Sequence, residues 1–236
     1  KVKFIKLIYK FLLGIYLASS IRFDKIWGIY LLPHGILALL VSKIVMKQSM
    51  LSLLGTDLNS FVKKYNLMER ITKKFDIITI TGSNSRNFFD SKNWSDNEFH
   101  IVPSYIDTEE YVPKNYKKVY DLIFIGDLNK NKRLDFILKA LANLNSKKSL
   151  VVLGKGPMES YYKEYCEKLN IADRVFFCGY QSEVKDYLCK SKILVMASEN
   201  EGLPQCIMEA MSCKIPCVVP KINDISDIVV HNFNSL

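Results

Sequence analysis

Apolar, β-branched runs recur through the second half of the chain, at residues 122–125, 150–153, 175–177, 193–196 and 217–219. Between them lie stretches whose apolar positions repeat every three to four residues, at 134–144, 158–169, 183–188 and 205–211. The first pattern predicts strands and the second helices. Gly126, Gly154, Gly156-Pro157, Gly179, Pro204 and Pro216 punctuate the junctions, as chain breakers do. Strands that are apolar throughout are buried on both faces, so the alternation predicts βαβ units and a parallel sheet covered by helices. In the first half the same reading gives strands at 25–29, 50–54, 76–80 and 99–102, and helices at 4–18, 36–45, 59–73 and 85–89. Residues 103–118 hold two prolines, acids and lysines without a sustained apolar period, which predicts a linker. The expectation is two α/β domains, 1–113 and 114–236, with no internal sequence repeat.

Composition supports a folded chain. Of 236 residues, 49% are hydrophobic and 24% charged, which is globular rather than disordered. The chain opens on Lys1 and stops at Leu236 with no evident closing element, so it reads as a fragment of a longer protein. The net charge of +9 is uneven: residues 1–117 carry 17 basic side chains against 10 acids, and the remainder 16 against 14. A basic first half suits anionic lipid, nucleic acid or a phosphorylated substrate, and equally a solvated lysine-rich surface. All six cysteines fall in the second half, none in a CxxC pair, and the three histidines add no ligand spacing. They read as structural thiols of a reducing compartment, with no metal expected. Lys6 and Lys10 interrupt the apolar N-terminal stretch, leaving too short a run to span a bilayer. That stretch fits an amphipathic helix, buried or interfacial.

The segment richest in chemistry is Ser198-Glu-Asn-Glu-Gly-Leu-Pro-Gln-Cys-Ile-Met-Glu-Ala-Met211. A strand ends in a polar loop, and Gly202, Leu203 and Pro204 lead into a helix, with proline suited to its first position. Unpaired amides at a helix start, backed by the helix dipole, bind phosphate. In open parallel sheets ligands sit beyond the carboxyl ends of the strands, where this loop falls. Glu201 lies in the loop and Glu209 about 7–8 Å further along the helix axis. Two acids so spaced can each accept from different hydroxyls of one elongated polyol. Alternatively, Glu201 is a helix-start acid favoured by the dipole and Glu209 an exposed helix residue.

Glu201-x7-Glu209, embedded in Glu-Gly-Leu-Pro and followed by Ala210-Met211, resembles the signature of the group 1 (family four) retaining glycosyltransferases. Phe124-Ile125-Gly126 followed by Lys132, Gly154-Lys155-Gly156-Pro157, Arg174-Val175 with Gly179, and Ile215 to Val219 fall in that family's order and spacing. Pro33-His34-Gly35, Leu54-Gly55-Thr56-Asp57 and Val102-Pro103 to Asp107 resemble its first-domain landmarks more loosely. The resemblance implies the GT-B architecture, two Rossmann-like parallel-sheet domains facing a cleft. The first would be incomplete here, without its initial strand and glycine-rich loop, and the second truncated before its crossing helix. It implies that Glu201 binds donor-sugar hydroxyls, Glu209 the ribose hydroxyls, and Lys132 the diphosphate. Gly126 and the amides of Gly202 and Leu203, ahead of Pro204, would complete the donor site, and His34, Gly55 and Asp57 would lie on the acceptor side. The nucleotide sugar is then a substrate, with no separate cofactor and no metal. Fixed cations and amides stabilise the leaving diphosphate, and the departing phosphate takes the acceptor's proton.

The chain departs from the family in places. Asp127 stands where an arginine is usual, and Arg133 is the candidate to replace that charge. Trp27, Ile29 and Leu54 occupy positions where histidine is common. The implied activity is retaining transfer from a nucleotide-diphosphate sugar to a saccharide or lipid-linked acceptor, as in cell-surface polysaccharide synthesis. The implied setting is the cytoplasm, with the basic first half suited to the inner membrane face as a peripheral protein. Alternatives in the same architecture are a nucleotide-sugar epimerase and an inactive nucleotide-sugar-binding scaffold. Nucleic acid is not an expected partner, since the aromatics fall within apolar runs and no nucleic-acid motif is present.

Overall fold

The structure is a computed structural model that describes residues 2–92, 94, 97–144 and 146–230. Its contacts divide the chain into two units, Lys1–Pro103 and Ser104–Leu236. In the first, β1 (Lys25–Ile29), β2 (Gln48–Ser52), β3 (Ile77–Ile80) and β4 (Glu98–Ile101) form a parallel sheet in that order. The helices are α1 (Val2–Ser20), α2 (Ile36–Ile44), α3 (Gly55–Asp57), α4 (Asn66–Thr72) and α5 (Ser83–Asp90). All of β3 is buried, and Leu31, Leu51, Phe75, Ile78 and Phe89 anchor the core. The helix predicted at 59–73 is broken: a π turn spans Leu58–Val62, Tyr65 is extended, and α4 begins at Asn66. Leu58 and Val62 from one piece and Met68 and Ile71 from the other pack on the same core. A continuous helix would turn the second pair about a third of a turn away.

The second unit is a five-stranded parallel sheet in the order β7-β6-β5-β8-β9. Its strands are β5 (Tyr120–Ile125), β6 (Leu150–Leu153), β7 (Val175–Gly179), β8 (Ser191–Val195) and β9 (Cys217–Val218). Its helices are α6 (Leu134–Ala142), α7 (Glu159–Lys168), α8 (Val184–Cys189) and α9 (Gln205–Ser212). Successive side chains of a strand face opposite sides, and the two cores follow that rule. Ile123, Val151 and Leu153 pack with Leu188, Ile207 and Ala210 on one face, and Phe124, Leu150 and Val152 pack with Leu138, Leu141 and Tyr162 on the other. This is the doubly wound α/β arrangement that the apolar runs predict, with β5 central.

The division after Pro103 falls ten residues before the expected end of the first domain. The reason is packing: Tyr111 and Tyr116 lie against the core of the second unit, and Ser212 Oγ donates to the Tyr111 carbonyl at 2.6 Å. Residues 104–118 are therefore not a free linker.

Candidate functional site

The strand order of the second sheet reverses beside β5, whose neighbours β6 and β8 belong to opposite halves of the winding. Loops leaving such a switch point form the ligand crevice of open α/β sheets. Here they are residues 126–133 after β5 and 196–204 after β8. Gly126 (φ 155°) leaves room for the Lys132 stem, since a Cβ there would stand 3.2 Å from Lys132 Cε. The next loop is packed just as closely: a Cβ on Gly154 (φ 138°) would lie 2.0 Å from the Gly126 carbonyl oxygen.

The two loops are joined in register. Asn131 Nδ2 donates to the Asn200 carbonyl at 2.8 Å, the Asn200 N–H to Asn131 Oδ1 at 3.1 Å, and the Glu199 N–H to the Asn131 carbonyl at 2.9 Å. One step further along each loop, Lys132 Nζ donates to Glu201 Oε1 at 2.7 Å. Asn223 Nδ2 holds the Glu201 carbonyl at 2.9 Å. Both expected donor-site charges are thus present, adjacent and mostly buried, but paired with each other.

Pro204 is extended (ψ 126°) and precedes the helix as its cap instead of standing at its first position; α9 starts at Gln205. Among the described residues, the N–H groups of Gly202, Leu203, Gln205 and Cys206 have no acceptor. The amides expected to meet phosphate are therefore unspent. Glu209, one turn into α9, is half-buried. Burial raises its carboxyl above the ordinary range, Tyr111 opposes that shift, and Glu110 adds to it. Cys206 lies between the two acids: burial pushes its thiol up to about 12, Lys132 pulls it down, and Glu209 and Glu201 push it further up. Lys132, Glu201 and Glu209 thus share one electrostatic neighbourhood at the start of α9.

Arg133 turns elsewhere. Its guanidinium pairs with Glu199 and Asp135 and lies 3.9 Å from the Phe136 ring centroid. Asp127 is exposed, with no ion pair among the described residues. In the first unit, Gly55 opens α3, and Asp57 is buried with Oδ2 accepting the Leu31 N–H at 2.9 Å. Burial raises the Asp57 carboxyl, and that hydrogen bond opposes the rise. Asp57 therefore braces the turn ahead of α2. His34 is exposed and hydrogen-bonds Lys10 at 3.4 Å.

Tyr111, Asn131, Asn223 and Ser198 were not singled out from the sequence as site residues. The Ser198 hydroxyl is buried without a partner among the described residues. Asparagines in a polar loop give no local signal of a clamp to a distant loop. Among the described residues no three His, Cys, Asp or Glu side chains gather as a metal site, and no helix is long and apolar enough to cross a membrane.

The chain resembles known proteins. The chain is 26% identical over 219 residues to N-acetyl-alpha-D-glucosaminyl L-malate synthase of Bacillus anthracis, covering 86% of this chain and 58% of that protein. It is 24% identical over 165 residues to the N-acetylgalactosamine-N,N'-diacetylbacillosaminyl-diphospho-undecaprenol 4-alpha-N-acetylgalactosaminyltransferase of Campylobacter jejuni, covering 68% of this chain and 45% of that protein. The fold matches Anabaena HepE, solved with UDP and glucose, at a TM-score of 0.81 and 16% identity over 96% of this chain and 66% of that one. The chain spans about half to two thirds of the length of these proteins. The family model for glycosyl transferases group 1 matches residues 106–236, which contain both switch-point loops and α9, and the chain belongs to that family.

Proposed function

We propose that this chain carries the donor site of a glycosyltransferase that moves a sugar from a nucleoside-diphosphate sugar to a saccharide or lipid-linked acceptor, with retention of anomeric configuration. The observation that carries the proposal is the Lys132–Glu201 pair beside the unspent amides of Gly202, Leu203 and Gln205. A donor sugar's diphosphate takes those amides and the Lys132 ammonium, while its sugar hydroxyls donate to Glu201. Glu209 accepts from the ribose hydroxyls. As the bond between the anomeric carbon and the diphosphate oxygen breaks, negative charge grows on the leaving group, which Lys132 and the amides receive. Preorganised donors of this kind act most strongly where charge develops. The acceptor hydroxyl forms the new glycosidic bond, and its proton passes to the departing phosphate. In this scheme protein groups neutralise the diphosphate, and no metal takes part. Retention rests on the resemblance of Glu201-x7-Glu209 to the retaining signature.

The relative from Campylobacter jejuni is named for a diphospho-undecaprenol acceptor, which favours a lipid-linked acceptor in surface-polysaccharide assembly. The exposed Tyr9, Leu12 and Tyr16 of α1 beside Lys6 and Lys10 support a cytoplasmic protein peripheral to the inner membrane face. Liposome flotation with and without anionic lipid tests that placement; equal flotation in both removes it. For the donor site, the test is calorimetric titration of the full chain with UDP, GDP and ADP. Binding of one nucleotide at micromolar to millimolar strength that is lost in Lys132→Met supports the proposal. Binding of none, or binding indifferent to Lys132, overturns it.

A further inference from the structure

The backbone on both sides of Glu201 is held by asparagines remote from it in the chain. On its N-terminal side the Asn131 carboxamide makes two bonds to one residue: Nδ2 donates to the Asn200 carbonyl at 2.8 Å, and Oδ1 accepts the Asn200 N–H at 3.1 Å. The Asn131 carbonyl adds a third contact, accepting the Glu199 N–H at 2.9 Å. On its C-terminal side Asn223 Nδ2 donates to the Glu201 carbonyl at 2.9 Å. A single hydrogen bond leaves a peptide free to pivot, whereas the pair at Asn200 fixes its direction as well as its place. Asn223 stands at φ 44°, a left-handed conformation that asparagine takes more readily than most residues with a Cβ.

Asn131 itself sits on a braced turn. Asn129 Oδ1 accepts the Lys132 N–H at 3.2 Å, and the Asn129 carbonyl accepts from the Tyr162 hydroxyl of α7 at 3.1 Å. Lys132 is the next residue of that turn, so one braced piece both presents the ammonium and clamps the loop that carries its acid. Register matters because the reach is short. Consecutive residues of an extended loop lie about 3.5 Å apart along the chain. A slip of that size would carry the Glu201 carboxylate out of hydrogen-bond range of Lys132 Nζ, now 2.7 Å away.

We propose that Asn131 and Asn223 are positioning residues of the donor site, fixing the peptides on either side of Glu201 so that its carboxylate is delivered to Lys132 and to the hydroxyls of a donor sugar. The sugar half of this rests on Glu201 being the acid that receives those hydroxyls. Both asparagines act on the backbone and leave the carboxylate itself to Lys132 and the ligand. A loop ordered in advance loses less conformational freedom when the ligand arrives.

Two measurements on the full chain test this. The first needs no ligand. A double-mutant cycle of Lys132→Met and Glu201→Gln in denaturant melts gives the coupling within the pair, with Asn131 intact and in Asn131→Ala. A merely structural asparagine lowers stability and leaves that coupling as it was; a positioning one should roughly halve it. Asn223→Gly, which keeps the left-handed backbone and removes the carboxamide, should act in the same direction, and it carries the test if Asn131→Ala does not fold. The second is calorimetric titration with UDP and UDP-glucose, or the matched GDP or ADP pair if the unsubstituted chain prefers that base. The ratio of the two affinities isolates the sugar. Glu201→Gln, Asn131→Ala and Asn223→Gly should each lower the preference for the nucleotide sugar about tenfold, the size of a lost hydrogen bond to a charged group. In a Glu201→Gln background neither asparagine change should lower it further. An unchanged Lys132–Glu201 coupling in both asparagine variants overturns the proposal, as does a ratio that responds to Glu201→Gln and to neither asparagine. If the ratio is indifferent to Glu201→Gln, the reading of Glu201 as the sugar acceptor fails; the sugar half of the proposal falls with it, and the coupling decides the rest.

Discussion

Lys132 and Glu201 lie 69 positions apart and meet at 2.7 Å across the point where the second sheet reverses its winding. Their side chains are only 17% and 13% exposed. The pairing reconciles two roles that look incompatible in a linear motif, a cation for a diphosphate and an acid for sugar hydroxyls. Each charge is satisfied by the other. Under the proposed function a donor sugar brings an anion and hydroxyl donors together, so it takes over both ends of the pair and leaves neither charge buried alone.

Breaking that pair from one side should cost more than removing both charges. Lys132→Met leaves Glu201 without its cation, and Glu201→Gln leaves Lys132 without its anion. Each should destabilise the chain by about 1–3 kcal/mol, the cost of leaving a buried polar group unsatisfied, below that of a fully buried ion because both side chains keep some exposure. The double variant should recover most of that stability in denaturant melts while nucleotide binding stays lost. Additive destabilisation would show that the pair is not coupled.

Arg133 should matter little to the nucleotide. Glu199, Asp135 and the Phe136 ring already occupy its guanidinium, so it offers no free charge to a diphosphate. Arg133→Ala is expected to change nucleotide affinity by less than about threefold, in line with the small worth of exposed ion pairs. A loss of tenfold or more would mean that the side chain swings to the ligand on binding.

Much of this fold was legible in the sequence because it rests on local signals. Apolar runs at 122–125, 150–153 and 193–196 lie within or overlap β5, β6 and β8, and glycines mark the crevice-facing turns. The placement of Glu209 on a helix and of Glu201 in the loop ahead of it was legible too. What was not legible depends on contacts remote in the chain. No periodicity signals that Asn131 pairs with Asn200, that Lys132 spends its charge on Glu201, or that Ser212 of α9 reaches the Tyr111 carbonyl. The break in the helix predicted at 59–73 is also a tertiary effect, because the core demanded a phase the local pattern did not show. Asp57 looked like a site residue because it follows Leu-Gly-Thr, yet its carboxylate is committed to the Leu31 N–H.

Asp57 therefore offers a stability test separate from the donor site. Leu31 is fully buried, and removing the Asp57 acceptor orphans its N–H. Asp57→Ala is expected to cost about 1–3 kcal/mol, the penalty for an unsatisfied buried donor. Asp57→Asn keeps an acceptor and removes a charge that burial disfavours, so it should stay within about 1 kcal/mol of the parent. The raised carboxyl of Asp57 implies that the folded chain holds this proton more tightly than the unfolded chain. The Asp57 contribution to stability is therefore largest at low pH and declines as pH rises through its folded value. Flattening of that slope in Asp57→Asn would identify the group in melts recorded across acid pH.

The pH dependence of nucleotide binding should run the other way. Under the proposed function Glu209 accepts from two ribose hydroxyls and must be ionised to do so, and burial raises its carboxyl above the ordinary value of 4.5. Affinity should therefore fall as pH drops through that raised value, starting at a higher pH than an exposed glutamate would give. Burial sets that midpoint first, with Tyr111 opposing it and Glu110 adding to it, while Cys206 and Cys213 lie near the ends of α9. Both thiols stay neutral in this range, because burial pushes each up to about 12. The nucleotide's own phosphate titration is removed by taking the ratio of ribonucleotide to dideoxynucleotide affinity at each pH. That ratio should decline toward one on acidification, and its midpoint should move up in Tyr111→Phe, because Tyr111 opposes the rise of the Glu209 carboxyl. A ratio that stays constant across the acid range would show that the ribose preference does not depend on the Glu209 charge.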